Sequence, residues 1–119
     1  MTTPNLHIPF VPEGTLDPAA GLNLALIDLD ALLGCLHKGV LDVGVNDPPG
    51  TPDDGDLYIV GTGTGAWAGH DDELAMYVDE GDFWRFYEPG SRVAMGRSQA
   101  DNLIYAWTSS GGWIAYPSS

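Results

Sequence analysis

The chain has 119 residues, enough for one hydrophobic core and too few for two. Four basic residues against seventeen acidic ones give a formal charge of −13; with no basic track, such a surface neither displaces counterions from nucleic-acid phosphates nor adheres to anionic membranes. Sixteen glycines and nine prolines interrupt the chain too often for an all-helical fold.

Residues 1–16 read as an extended arm. Pro4, Pro9 and Pro12 forbid a helix, and Leu6, Ile8 and Phe10 alternate as in a strand laid along a surface. The first ten residues carry no basic stretch ahead of a long apolar run, so they do not form a secretory signal. No run anywhere reaches the length of a membrane span. Synthesis in the cytoplasm is the expectation.

Asp17-Pro18 is a helix start, with Asp17 capping exposed N–H groups and Pro18 at the first helical position. One long helix is expected over 17–39, with His37 and Lys38 near its negative end and Gly39 as the stop. Leu22, Leu26, Leu29, Leu33 and Leu36 recur every three or four residues as one stripe, and Leu24, Ile27, Ala31 and Cys35 form a second beside it. The polar remainder is narrow: Asn23, Asp30, Gly34 and His37. A helix this apolar needs cover on more than one side, and its own sheet supplies one. The other face is therefore expected to pack on an identical subunit. Cys35, the only cysteine, admits no internal disulfide and reads as a small buried hydrophobe.

Residues 40–119 read as a small antiparallel β domain, meander-like and close to a barrel. A short strand over 40–45 and a proline-stiffened loop over 46–56 come first. Apolar-aromatic runs at 56–60, 74–78 and 83–87, separated by turn residues, then predict a compact meander, with Trp67 and Trp84 supplying large area to bury. A strand over 92–97, a polar turn over 99–102 and a hairpin of 103–108 with 112–116 complete the domain. The chain stops three residues after that hairpin, so no fibre shaft is expected within it.

The side chains offer several constellations to test. Asp47, Asp53, Asp54 and Asp56 cluster as calcium ligands do, yet their spacing is not that of an EF-hand loop, so Asp53, Asp54 and Asp56 are weak candidates and no metal is expected. Asp28 and Asp30 point about 200° apart on a helix and do not share an ion. Gly61-Thr62-Gly63-Thr64-Gly65 follows a strand, but no helix follows it to face a phosphate. His70 with Asp71, Asp72 and Glu73 resembles part of an acid–base or metal site, with no second histidine in view to complete it. No cofactor and no enzyme activity are expected. Among the aromatics, Trp67 and Trp113 are the candidates for an exposed sugar-stacking platform, whereas Trp84, Phe86 and Trp107 lie in strands where core packing is the ordinary role.

Pro4-Asn5-Leu6, the turn over 9–14, Asn23-Leu24-Ala25-Leu26 and Leu29-Asp30-Ala31-Leu32 resemble the N-terminal half of DUF2793, a domain of tailed-phage, prophage and gene-transfer-agent structural proteins of alphaproteobacteria. The second half is the closer likeness: Pro48-Pro49, Pro52, Gly55-Asp56, Tyr58-Ile59-Val60-Gly61, Gly65-Ala66-Trp67-Ala68-Gly69-His70-Asp71, Trp84-Arg85-Phe86-Tyr87 and Pro89. In one departure, residues 15–21 replace a segment that in the family carries Gln, Lys and His. The resemblance implies a non-enzymatic virion component, a base, adaptor or decoration domain of a capsid spike or tail fibre. Its partners would be identical subunits and other capsid, tail or fibre proteins. Under this expectation Leu22, Leu26, Leu29, Leu33 and Leu36, with Leu6, Ile8 and Phe10, carry subunit contacts. The competing expectation is a carbohydrate-binding module that recognises host surface polysaccharide through Trp67 and Trp113.

Overall fold

The computed structural model of the chain describes residues 3–5 and 19–116, apart from the side chains of residues 19–25, Glu80 and Tyr116. The expected arm lies outside these residues except for Thr3, Pro4 and Asn5. The fold is α+β. A helix, α1 (Ala19–Gly34), runs into a wider π-helical turn, Cys35–Gly39. Seven strands follow: β1 (Asp42–Val45), β2 (Leu57–Val60), β3 (Leu74–Val78), β4 (Phe83–Tyr87), β5 (Met95–Arg97), β6 (Ile104–Thr108) and β7 (Gly112–Tyr116).

Two of the expectations are corrected here. The helix is not long: α1 has 16 residues, and the winding changes at Cys35. Gly39 then stops it at φ +93, where a Cβ would stand 2.6 Å from the Arg97 carbonyl oxygen. The carbonyls left open by this ending are taken by side chains from β5 and beyond. Arg97 Nη2 donates to His37 O (3.1 Å) and Lys38 O (2.7 Å), and Gln99 Nε2 donates to Lys38 O (3.2 Å). The second correction is that the sheet does not close into a barrel. The strands form two sheets, ordered β1-β2-β3-β4 and β5-β6-β7. Glu88 O accepts from the backbone N–H of both Arg92 and Val93, a turn that carries the chain away from β4 before β5 begins. The second sheet meets the end of the helix through a parallel bridge, Val40 to Ser98.

The β2-β3-β4 meander is antiparallel, with Met76 opposite both Leu57 and Arg85. β1 departs from the antiparallel expectation and runs parallel to β2. Alternation gives the four-stranded sheet two apolar faces. Leu57, Ile59, Leu74, Met76, Val78 and Tyr87 pack against Ile27, Ala31 and Cys35 in one core. On the reverse face Val60, Ala75, Tyr58, Trp84 and Phe86 surround Trp67. The loop after β2 brings Trp67 there through a 3₁₀ turn, Gly65–Trp67. Hydrogen bonds from Thr62 N to Asn46 Oδ1 (2.9 Å) and Gly63 N to Asp71 Oδ1 (2.8 Å) fix that loop.

Small residues face the sheet from α1, and this inverts part of the expected polar side. Asp30 and Gly34, assigned to the polar side from sequence, are buried; Asp30 is 0% exposed. Asn5 is the reason. Its backbone N–H donates to Asp30 Oδ2 (2.8 Å), its side-chain amide lies against Gly34, and Lys38 Nζ reaches its Oδ1 (3.3 Å). Asn5 Nδ2 also reaches Met76 Sδ at 3.4 Å. Residues 3–5 are thus wedged between α1 and the sheet, with Thr3 wholly buried.

Candidate functional site

The face of α1 turned away from the sheet is lined with leucine. Leu29, Leu33 and Leu36 are 51%, 52% and 47% exposed, and Leu26 is half-buried. Steps of four and three residues place the three exposed side chains on one face, opposite Ile27, Ala31 and Cys35. Scattered surface leucines are ordinary; this row, which nothing among the described residues covers, is a continuous apolar strip. Of the other expected contact residues, Leu6, Ile8 and Phe10 lie outside the described residues, as does the side chain of Leu22.

A second feature is an open groove of about 470 Å³, lined by His70, Glu73, Phe83, Trp84, Arg85, Phe86, Glu88 and Arg92. Residues 83–86 are consecutive in β4, so their side chains alternate between the two sheet faces. Both sets line one groove because it follows the edge of β4 that no other described strand pairs. Its floor is ordered by aromatic contacts. The His70 ring stacks flat on Phe86 with centroids 3.6 Å apart, and His70 Nδ1 lies 2.7 Å from Glu73 Oε1. Trp84 meets Trp67 edge to face at 5.1 Å and Tyr77 at 5.3 Å.

Beneath the groove, β4 is tied to α1. Arg85 donates to Asp28 from Nε (2.5 Å to Oδ1) and Nη2 (3.1 Å to Oδ2), and the Tyr87 hydroxyl donates to Asp28 Oδ1 (2.8 Å). Partial burial raises the Asp28 carboxyl, but the hydrogen bonds from Arg85 and Tyr87 and the charges of Arg85 and Arg92 outweigh it and hold the pKa below the ordinary value. Burial and the bond to Asp28 push the Tyr87 phenol up. Arg85 is raised by the same carboxylate. Arg85 is therefore neutralised locally and Arg97 is committed to the helix end, whereas Arg92 is exposed and makes no side-chain hydrogen bond among the described residues.

The sugar-stacking residues named from sequence fare unevenly. Trp67 is 0% exposed and presents no face to a ligand, because the glycine-rich loop folds it back onto the sheet. Trp113 is half-buried, its Nε1 donates to Asp72 O (2.8 Å), and its ring meets Trp107 at 5.7 Å. Two of the three weak metal candidates have carboxylates turned to backbone: Asp56 Oδ2 accepts from Asp53 N (2.9 Å) and Asp54 Oδ1 from Asp79 N (2.9 Å). Among the described residues no three His, Cys, Asp or Glu side chains converge as metal ligands. No helix among them is long and apolar enough to cross a membrane. Cys35 Sγ is buried, 3.1 Å from Leu32 O, and burial pushes its thiol up to about 11. Sequence reasoning missed the groove, since His70, β4 and Arg92 meet only through the sheet; the legible part of its signal was the Trp84-Arg85-Phe86-Tyr87 run.

No curated protein and no solved structure matches this chain. Residues 22–114 match the family described as protein of unknown function (DUF2793). That span takes in most of α1, both sheets but for the last two residues of β7, and the groove, and the chain belongs to the DUF2793 family.

Proposed function

We propose that this protein is a non-enzymatic structural component of a phage-type particle, a base, adaptor or decoration domain of a capsid spike or tail fibre that assembles from identical subunits. Family membership supports the class, through the phage and gene-transfer-agent setting that the sequence resemblance implies. The observation that carries the reading is the exposed row Leu29, Leu33 and Leu36. Recovering the exposed half of each leucine is worth on the order of 1 kcal/mol, and a neighbour packed along the row supplies that gain. The acidic loops stay solvated in such an assembly or face a basic protein of the particle.

Recognition of host polysaccharide is the weaker reading, since Trp67 is enclosed and Trp113 is engaged with Asp72 and Trp107. Mass spectrometry of density-banded particles, released from cells that carry the gene and washed in high salt, tests the proposal. The chain is expected in the particle band at a fixed ratio to the major shell protein. Its recovery only in the soluble fraction would sink the reading.

A further inference from the structure

We infer that the groove along β4 binds a neutral saccharide, with Phe83, Trp84 and His70 against the sugar's ring faces and Glu88 and Arg92 on its hydroxyls. The inference stands apart from the subunit contact, because no leucine of the α1 row lines the groove. It also moves saccharide contact away from Trp67 and Trp113, the two residues named from sequence.

Three observations carry it. The first is size: an open groove of about 470 Å³ falls within the range of small-molecule sites. The second is a set of rings held in place by their neighbours. Trp84 is half-buried and braced by Trp67, Tyr77 and Tyr58, whose ring centroids lie 5.1, 5.3 and 6.2 Å away. The His70 ring keeps one face on Phe86 and is tied to Glu73, with its side chain 36% exposed. Phe83 is 37% exposed. Rings fixed in this way lose little freedom when a ligand packs on them.

The third is the state of the charged groups, which eliminates other classes of ligand. Arg85 is paired with Asp28 and Glu73 with His70. Glu88 and Arg92 are exposed, and neither side chain makes a hydrogen bond among the described residues. A phosphate or carboxylate ligand would find one unpaired guanidinium beside two carboxylates, in a chain of −13. A cationic ligand would meet two guanidinium groups. A purely apolar one would strip water from Glu88 and Arg92 and return no hydrogen bond. A sugar suits the rings and the charges together. Its C–H faces lie on aromatic planes, and its hydroxyls both donate and accept. The Glu88 carboxylate accepts from such hydroxyls, and the Arg92 guanidinium donates to them.

The test presents the full chain to a printed array of neutral, acidic and amine-bearing oligosaccharides. The best-retained one is then titrated in solution while backbone amide shifts are followed by NMR. Wild type is expected to retain neutral oligosaccharides, with shifts confined to residues 70–73 and 83–92. Glu88→Gln and Arg92→Ala alter exposed positions, and circular dichroism checks that both variants fold. Each is expected to weaken binding about tenfold, the loss of one hydrogen bond to a charged group. Retention of no oligosaccharide, or only of acidic or only of amine-bearing ones, overturns the inference. So do shifts centred on Trp113 and the second sheet, or an affinity unchanged in either variant. A monomeric wild type that binds the saccharide would sink the proposed function and leave this inference standing. A multimeric wild type that binds none would sink this inference alone.

Discussion

The Arg85 guanidinium grips the Asp28 carboxylate by two hydrogen bonds, of 2.5 and 3.1 Å, joining the helix to the last strand of its sheet across 57 positions of sequence. The Tyr87 hydroxyl closes the same carboxylate at 2.8 Å. A planar fork on a carboxylate fixes orientation as well as distance. This cluster thus sets the angle at which α1 lies on the sheet, and with it the direction in which the leucine row faces.

Asp28→Asn is expected to destabilise the fold by about 1–3 kcal/mol, because Arg85 and the buried Tyr87 hydroxyl both lose a charged acceptor. The pH dependence has a definite sign. The folded-state pKa of Asp28 lies below its unfolded value, so its stabilisation is complete above the ordinary carboxylate value of about 3.9. It is lost as pH falls through the lower, folded value. Urea midpoints measured at a series of acidic pH values should fall more steeply for wild type than for Asp28→Asn. Parallel curves for the two would refute the assignment.

Trp67 lies at the centre of the reverse-face cluster with no exposed surface. Trp67→Ala should therefore cost about 3–5 kcal/mol and release the loop that carries it. Gly63→Ala acts on the same contact from the other side, since a Cβ there would stand 2.0 Å from Trp67 O. Chemical denaturation checks both; a stability change near zero for Trp67→Ala would mean the indole faces solvent.

The Cys35 thiol, raised by burial to about 11, should be nearly inert in the native state. At pH 8 its reaction with a soluble disulfide reagent is expected to be about a hundredfold slower than that of a free thiol, which titrates near 8.5. Labelling in urea should restore the ordinary rate. Fast native labelling would show that the π turn opens readily.

The strands were legible because alternation and turn chemistry act within a few residues. The runs at 56–60, 74–78 and 83–87 stand where β2, β3 and β4 form, and Ser109-Ser110-Gly111 joins β6 to β7. What was not legible depends on partners distant in sequence. Periodicity gave α1 two apolar stripes but could not rank them. The structure turns Ile27, Ala31 and Cys35 inward because Asn5, held against Gly34, lets the polar Asp30 be buried beside them. Parallel pairing of β1 with β2 leaves the same alternation as antiparallel pairing, so its direction was invisible. The carbonyls at the end of the π turn are likewise held from afar, by Arg97 and Gln99 some sixty residues away. The groove was hidden for the same reason, since His70 reaches Phe86 only across the folded sheet.

The Asn5 anchor gives a further outcome. Asn5→Ala removes the side-chain contacts to Lys38 and Met76 but leaves the backbone bond to Asp30. A loss of about 0.5–1.5 kcal/mol is expected. Removing residues 1–5 also removes the backbone N–H that Asn5 donates to the buried Asp30 and should cost more, about 1–3 kcal/mol beyond the point variant. Thermal melts of the three proteins rank them; equal melting points would show that residues 3–5 contribute nothing to the core.

The central claim is that the leucine row on α1 is covered by another subunit, and light scattering of wild type beside Leu33→Glu tests it most directly. Leu33 is 52% exposed, so the variant should keep the monomer fold and its far-ultraviolet circular dichroism. The account predicts a multimeric wild type and a smaller, equally folded variant. A wild type that remains monomeric as concentration rises, or a Leu33→Glu protein of undiminished mass, would contradict it.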